Sequence, residues 1–170
     1  MPLSDADRTL ISEFRTALQQ GYAGDARFTR VIRDDRSDES VLASRFAVLD
    51  DVWLELTLRP FLPQLRAGIV TTDRWKNEEL EERIEETGDT MSEFLELGFD
   101  EAGLEWRAPQ VEHYRDQGKY FCFATGLDLP SLKSLGDPAT LDKARRMLEG
   151  YYHAFHGAIQ RLKAAAPPVS

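Results

Sequence analysis

Three residues near the C-terminus have the types and spacing of ligands for a divalent metal ion. Glu149, His153 and His156 stand four and three positions apart, so a helix would place them on one face. The set lacks ligands from a second element, and a polar stripe that faces solvent is the simpler interpretation. A metal-dependent hydrolase that uses these residues is therefore an alternative hypothesis.

The single cysteine is the second candidate for chemistry, because a thiolate beside a base is a nucleophile. A predicted hairpin joins the strand of Cys122 to that of His113, so the imidazole can sit across from the thiol. A cysteine packed in a strand is the simpler interpretation. One cysteine also excludes an internal disulfide framework and a CxxC site.

Carboxylates on and just before a predicted strand superficially suggest a metal-dependent nuclease. These are Asp50, Asp51 and Glu55, but the lysine that usually accompanies such a set is missing. An exposed cross-strand charge is the simpler interpretation of Glu55. The sequence also has no glycine-rich phosphate loop and no nucleophile elbow. We therefore expect a protein that is not an enzyme and needs no cofactor.

Acidic residues are concentrated in one stretch of the chain. The formal net charge is −9, and positions 73–101 carry twelve acidic residues against three basic ones, a surplus of nine. Such a surface often only solvates the protein, but it can also steer a basic partner. The same charge argues against binding to nucleic acid. The predicted acidic docking face consists of Glu78, Glu81, Glu82, Glu85 and Glu86.

Two glycines mark the predicted C-terminal helix. Gly150 and Gly157 are seven positions apart and fall on nearly the same helical face. Because glycine in a helix interior costs about 1 kcal/mol relative to alanine, we expect another backbone to approach closely there. That neighbour is either the domain's own sheet or a second copy in a homodimer. The predicted partner or dimer face comprises Leu148, Gly150, Tyr151, Tyr152, Phe155, Gly157 and Ile159.

The elements that position these residues can be predicted from periodicity. A helix begins after Ser4 and ends near Gly21, and apolar residues alternate from Val52 to Leu58 as in a half-buried strand. Further strands are predicted at 27–33, 45–49, 65–71, 110–114 and 119–125, with a polar loop at 34–40 and a short extended stretch at 104–106. The region 73–99 predicts two helices that meet near Gly88, in preference to one kinked helix. The last helix has Asp137 as its N-cap and runs to about residue 163.

This element order predicts an α+β fold in one domain. An antiparallel sheet of about five to six strands is covered by N-terminal, central and C-terminal helices. We expect residues 1–163 to form that domain and residues 164–170 to be a disordered tail. No apolar run approaches ~20 residues, and the N-terminus lacks a basic start followed by an apolar stretch. We therefore expect a cytoplasmic protein without membrane contact.

The order of elements, the small size, the acidic charge and the final amphipathic helix resemble class I type III secretion chaperones and YbjN-like proteins. The resemblance covers roughly residues 4–163 and includes the first helix, the strand at 52–58 and the last helix. It implies a homodimer without enzymatic activity that binds an extended segment of another protein. The leading hypothesis is therefore a polypeptide-binding protein, chaperone-like or regulatory, with a hydrophobic helix or sheet surface and an acidic flank. An acidic inhibitor or immunity protein for a basic partner is the other alternative.

Overall fold

A computed structural model describes residues 2–165 of the chain. Its elements run in the order of one helix, four strands, two helices, two strands, a short 3-10 turn and a long helix. They are α1 (Asp5–Gly21), β1 (Val31–Asp35), β2 (Leu42–Leu49), β3 (Val52–Arg59), β4 (Gln64–Thr71), α2 (Arg74–Thr87), α3 (Met91–Glu101), β5 (Glu112–Asp116), β6 (Tyr120–Asp128), the 3-10 turn (Leu132–Gly136) and α4 (Pro138–Ala165).

The strands form one six-stranded antiparallel sheet in the order β1-β2-β3-β4-β6-β5. The first four strands are a meander, in which each strand pairs with the next. After α2 and α3 the chain returns as the β5–β6 hairpin, and β6 pairs with β4. The predicted α+β class, with helices packed on an antiparallel sheet, is confirmed.

Side-chain caps fix where the helices begin. The Oγ of Ser4 accepts the N–H of Asp7 at 3.0 Å, and the Asp7 carboxylate accepts the N–H of Ser4 in return. The central region is two helices, as predicted, because Gly88 ends α2 with a φ of 74° and Thr90 caps α3. The last helix reaches Ala165, so residues 164 and 165 are helical and not part of a tail. The rest of the predicted tail, 166–170, lies outside the described residues.

One predicted strand boundary is wrong, and the extended stretch predicted at 104–106 does not form a strand. Asp34 and Asp35 belong to β1 and not to the loop, because their backbones pair with Ala43 and Leu42 of β2. The stretch 104–106 is not a strand. The N–H of Leu104 instead closes the end of α3 by donating to the carbonyl of Phe99 at 2.8 Å, and the Trp106 ring stacks on that of Phe99.

The helices pack on one face of the sheet, which we call the helix face. The predicted alternation in β3 points Leu54, Leu56 and Leu58 towards this face. Phe123 of β6 meets Phe155 of α4 there, with ring centroids 5.3 Å apart. The main hydrophobic core therefore lies between the sheet and the helices.

The opposite face, which we call the inner face, carries a second small core. Its members, the inner cluster, all come from strands: Ala47, Trp53, Val70, Tyr120 and Cys122. They are buried although no described helix belongs to the cluster. The prediction that β3 is half-buried is therefore wrong, since both of its faces are covered.

Curvature of the sheet explains this burial. Asp34 of β1 and Tyr120 of β6 are four strand spacings apart, about 19 Å in a flat sheet. The Tyr120 hydroxyl nevertheless lies 3.4 Å from the Asp34 carboxylate. The sheet must therefore curl towards a half-barrel, in which the inner face packs against itself.

Within residues 2–165, no helix combines the length and the apolar character needed to span a bilayer.

Candidate functional site

The predicted partner or dimer face of α4 lies inside the domain. Gly157 is half-buried, and the other six members, Leu148, Gly150, Tyr151, Tyr152, Phe155 and Ile159, are buried. The Tyr151 hydroxyl bonds that of Thr125 at 2.8 Å, and Phe155 packs edge-on against Phe94 of α3 at 5.0 Å. This placement corrects the expectation of an open docking surface on α4. Formation of a homodimer stays a prediction.

The two glycines of α4 have neighbours within the same chain. A Cβ on Gly150 would overlap the ring of Phe99, and one on Gly98 of α3 would lie 2.8 Å from the Cβ of Ala154 and closer still to the carbonyl oxygen of Gly150. The close approach predicted at Gly150 thus exists, but the neighbour is α3. The atoms nearest to a Cβ on Gly157 would be those of the Arg83 guanidinium, at 3.1 Å.

The predicted metal ligands are held by other groups. Both carboxylate oxygens of Glu149 accept hydrogen bonds from Arg27, each at 2.7 Å. His153 lies 3.6 Å from Glu101, and His156 lies 3.3 Å from Gln160. Across the described residues, no three His, Cys, Asp or Glu side chains are grouped as a metal ion requires. The spacing on one helix face therefore does not assemble a metal centre here.

Cys122 and His113 lie on opposite faces of the sheet. The residue opposite Cys122 in β5 is Tyr114, whereas His113 pairs with Phe123 and stacks on its ring at 3.8 Å. The prediction that the Cys122 thiol and the His113 imidazole are neighbours is therefore wrong, because His113 lies one residue away from the position opposite Cys122. Burial raises the pKa of the Cys122 thiol to about 12. Packing in the inner cluster is the interpretation that the geometry supports.

We expect the native protein to resist thiol reagents at pH 8. Because only the thiolate reacts, and burial disfavours it, Cys122 should react with a disulfide reagent about 100-fold or more slowly than in denatured protein. The release of the chromophore, followed with and without guanidinium chloride, measures both rates. Comparable rates in the two states would show an accessible thiolate and contradict the assignment.

The prediction that Glu55 is exposed is wrong, because its side chain is only 12% exposed and is paired with an arginine. Its carboxylate accepts from the Nε of Arg45 at 2.6 Å, and the same guanidinium donates to Asp34 at 2.7 Å. Burial raises the pKa of Glu55, although Arg45 opposes the shift, whereas the hydrogen bond from Arg45 lowers the pKa of Asp34. Asp51 instead pairs with Lys76 of α2. The three carboxylates of the nuclease hypothesis thus do not form one site.

The predicted acidic docking face of α2 divides into parts with different neighbours. Glu86 makes a bidentate ion pair with Arg161 of α4, at 2.6 and 2.8 Å. Glu81 accepts from Asn77 at 2.7 Å and lies 3.6 Å from His113. Of the acidic side chains that remain, Glu78, Glu82 and Glu85, none has an ion-pair partner among the described residues. These last three are exposed.

Glu78 and Glu82 line a hollow between α2 and the end of α4, which we call the acidic groove. The groove has a volume of about 460 Å³. Its lining consists of Leu49, Asp73, Trp75, Lys76, Glu78, Glu79, Glu82, Leu162 and Ala165. Four of these residues are acidic, and the one lysine pairs with Asp51. Asp73 caps α2 by accepting the N–H groups of Trp75 and Lys76. The groove therefore combines apolar surface with a negatively charged rim.

Trp75 is the feature of this groove that the sequence reasoning missed. Its side chain is 76% exposed, the most exposed of the large hydrophobic residues in the described chain. The signal was present in the spacing, because Trp75, Glu78, Glu79 and Glu82 stand at positions i, i+3, i+4 and i+7 of one helix. A tryptophan on an acidic helical face has charged neighbours, whereas a core tryptophan has apolar ones. Trp75 therefore belongs to the surface.

We compared the chain with protein-family models, with curated proteins and with solved structures, and none of the three comparisons found a match.

Proposed function

We propose that the protein binds a segment of another polypeptide in the acidic groove. The occupant is a short stretch in which lysine or arginine stands next to an aliphatic side chain. The observation that carries this proposal is the exposed indole of Trp75 beside carboxylates that have no ion-pair partner among the described residues. The acidic groove thus corresponds to the acidic flank of the leading hypothesis. Its own apolar lining takes the role that the hypothesis gave to the face of α4.

Each part of the groove has a counterpart in such a segment. An aliphatic side chain would remove water from Leu49, Leu162 and the indole, which is the type of contact that dominates many interfaces. A lysine or arginine can stack on the exposed face of Trp75 and pair with Glu78 or Glu82. The carboxylates would also speed the approach of a basic partner at low salt.

A peptide titration tests the proposal directly. The probe is a fluorescein-labelled peptide with three lysines around one leucine, followed by anisotropy. We expect saturable binding that Trp75→Ala weakens about tenfold or more, because aromatic residues are frequent energetic anchors of interfaces. Binding should also weaken as sodium chloride rises from 50 to 500 mM, because salt screens the carboxylates.

The same helix offers a matched control. Glu85→Gln removes an exposed charge of α2 that does not line the groove, so the affinity should stay unchanged, whereas Glu78→Gln together with Glu82→Gln should reduce it. Equal affinity for a peptide with glutamates in place of the lysines would exclude recognition by the carboxylates. Binding that Trp75→Ala leaves intact would exclude the groove.

The salt response also separates the leading hypothesis from an inhibitor of a basic partner. An inhibitor that relies on charge alone should lose its partner steeply with salt and depend little on Trp75. A chaperone-like or regulatory protein should keep part of its affinity at 500 mM salt through the apolar contacts. The exposed indole favours the second possibility, since charge recognition alone does not need it.

A further inference from the structure

The two edges of the curled sheet meet without backbone pairing. Among the described residues, β1 pairs only with β2, and β5 pairs only with β6. Side chains join the edges instead. Arg36 lies 3.3 Å from Asp116, and the Tyr120 hydroxyl lies 3.4 Å from Asp34. We call these four residues the seam.

The contacts of the seam are weak compared with those inside the sheet. The side chains of Arg36 and Asp116 are 45% and 33% exposed, and ion pairs that are this exposed to solvent contribute little to stability. Strand β1 has five residues, four of them exposed. Every other junction of the sheet has a ladder of backbone hydrogen bonds. Separation of β1 from β5 therefore breaks these side-chain contacts, together with the hydrogen bond that Arg45 of β2 donates to Tyr120 of β6 at 3.2 Å, but no backbone ladder.

The inner cluster behind the seam includes a polar group that water would satisfy. The indole Nε1 of Trp53 is buried and has no hydrogen-bond acceptor within the described structure. Burial of such a donor without a partner is unfavourable, because the group loses its hydrogen bond to water. Water that enters when the seam parts would recover this free energy. This gain partly offsets the free-energy cost of exposing the apolar members of the inner cluster to water.

We propose that the seam is a gate. Strand β1, still paired with β2, and the loop at 36–40 move away from β5 and expose the inner cluster, while the backbone ladders of the sheet and the helices stay intact. The inner face then becomes a second, transient apolar surface that is independent of the acidic groove. Its opening uncovers Trp53, Tyr120 and Cys122 together.

Hydrogen exchange of the Trp53 indole N–H measures the opening. Since this group has no acceptor, burial alone protects it, and its exchange in ¹⁵N-tryptophan-labelled protein reports access of water. The exposed indole of Trp75 provides the reference for free exchange. We expect the opening free energy of Trp53 to be clearly below the free energy of global unfolding, with a smaller dependence on denaturant.

Two surface substitutions separate local opening from global unfolding. Asp116→Asn breaks the seam pair and should speed exchange at Trp53 about two- to fivefold. Glu86→Gln breaks the exposed pair between α2 and α4 and should lower global stability by a similar amount without changing exchange at Trp53. The rate at which Cys122 reacts with a thiol reagent should likewise increase in Asp116→Asn and stay unchanged in Glu86→Gln. Equal acceleration by both substitutions would show that Trp53 is exposed only by global unfolding, and no acceleration by Asp116→Asn would show that the seam is not the gate.

Discussion

Replacement of Arg45 by methionine should destabilise the protein by about 3 to 5 kcal/mol, because it leaves a buried carboxylate without its partner. Arg45 is 4% exposed and donates to Glu55, Asp34 and the hydroxyl of Tyr120. Its guanidinium also lies over the Tyr120 ring, 4.3 Å from the centroid. Methionine keeps much of the apolar volume but provides none of these bonds. Chemical unfolding followed by circular dichroism measures the difference.

The penalty of Arg45→Met should be smaller at pH 5 than at pH 7. Burial already raises the pKa of Glu55, and loss of the arginine raises it further. A carboxyl group whose pKa is higher in the folded state than in the unfolded state binds a proton preferentially when folded. Its contribution to stability therefore improves as the pH falls through the folded pKa. A penalty that stays constant between pH 7 and 5 would show that the charge of Glu55 is not its source.

Two further variants identify the buried pair as the cause. Arg115→Met removes an exposed arginine of β5 and should change stability by no more than about 0.5 kcal/mol. Combining Arg45→Met with Glu55→Gln removes both charges and should recover part of the lost stability at pH 7. If the double variant is as unstable as the sum of the single ones, the two side chains do not act as a pair.

Substitution of Gly98 by alanine should destabilise the protein by about 2 to 3 kcal/mol, although the same change in an ordinary helix stabilises it. The added Cβ would lie 2.8 Å from the Cβ of Ala154 and 3.0 Å from its backbone nitrogen, and it would overlap the carbonyl of Gly150. Since backbone atoms of α4 cannot rotate away, α3 and α4 must move apart. The shift in the denaturation midpoint at unchanged slope reports the loss.

The control is the same substitution at Gly157. There the atoms nearest to a Cβ belong to the guanidinium of Arg83, which is half-exposed and can move. We therefore expect Gly157→Ala to be neutral or to stabilise the protein by up to about 1 kcal/mol through helix propensity. A similar loss at both positions would indicate a general intolerance of α3 and α4 to substitution. Stabilisation at Gly98 would disprove the close packing of the two helices.

Much of the fold follows from local patterns. The cap at Ser4, the break at Gly88 and the alternation from Val52 to Leu58 each depend on residues that are neighbours in sequence or on one face of an element. Such signals predict where an element lies and which face is apolar. They were sufficient for the α+β class and for five of the six strand positions. Strand β1 was displaced because its pairing, not its composition, extends it to Asp35.

The errors concern contacts that depend on the curvature of the sheet and on helix packing. Arg45 is the cross-strand neighbour of Glu55 in adjacent strands, but nothing in the sequence shows that Tyr120 covers the Arg45 guanidinium, because Arg45 and Tyr120 lie on strands separated by two others in the sheet. Gly150 signalled a close neighbour but not which element provides it. Apolar periodicity does not reveal Trp75, because it is a single aromatic residue among charged ones.

The position of α4 after all six strands in the chain has a consequence for synthesis. Its residues Tyr151 and Phe155 contact Thr125 and Phe123 of β6 on the helix face of the sheet. While the ribosome is still producing α4, the strands have already emerged, and the apolar side chains that α4 covers are exposed. The nascent chain is therefore prone to aggregation until α4 has left the ribosome, and the domain should complete its folding only after that point.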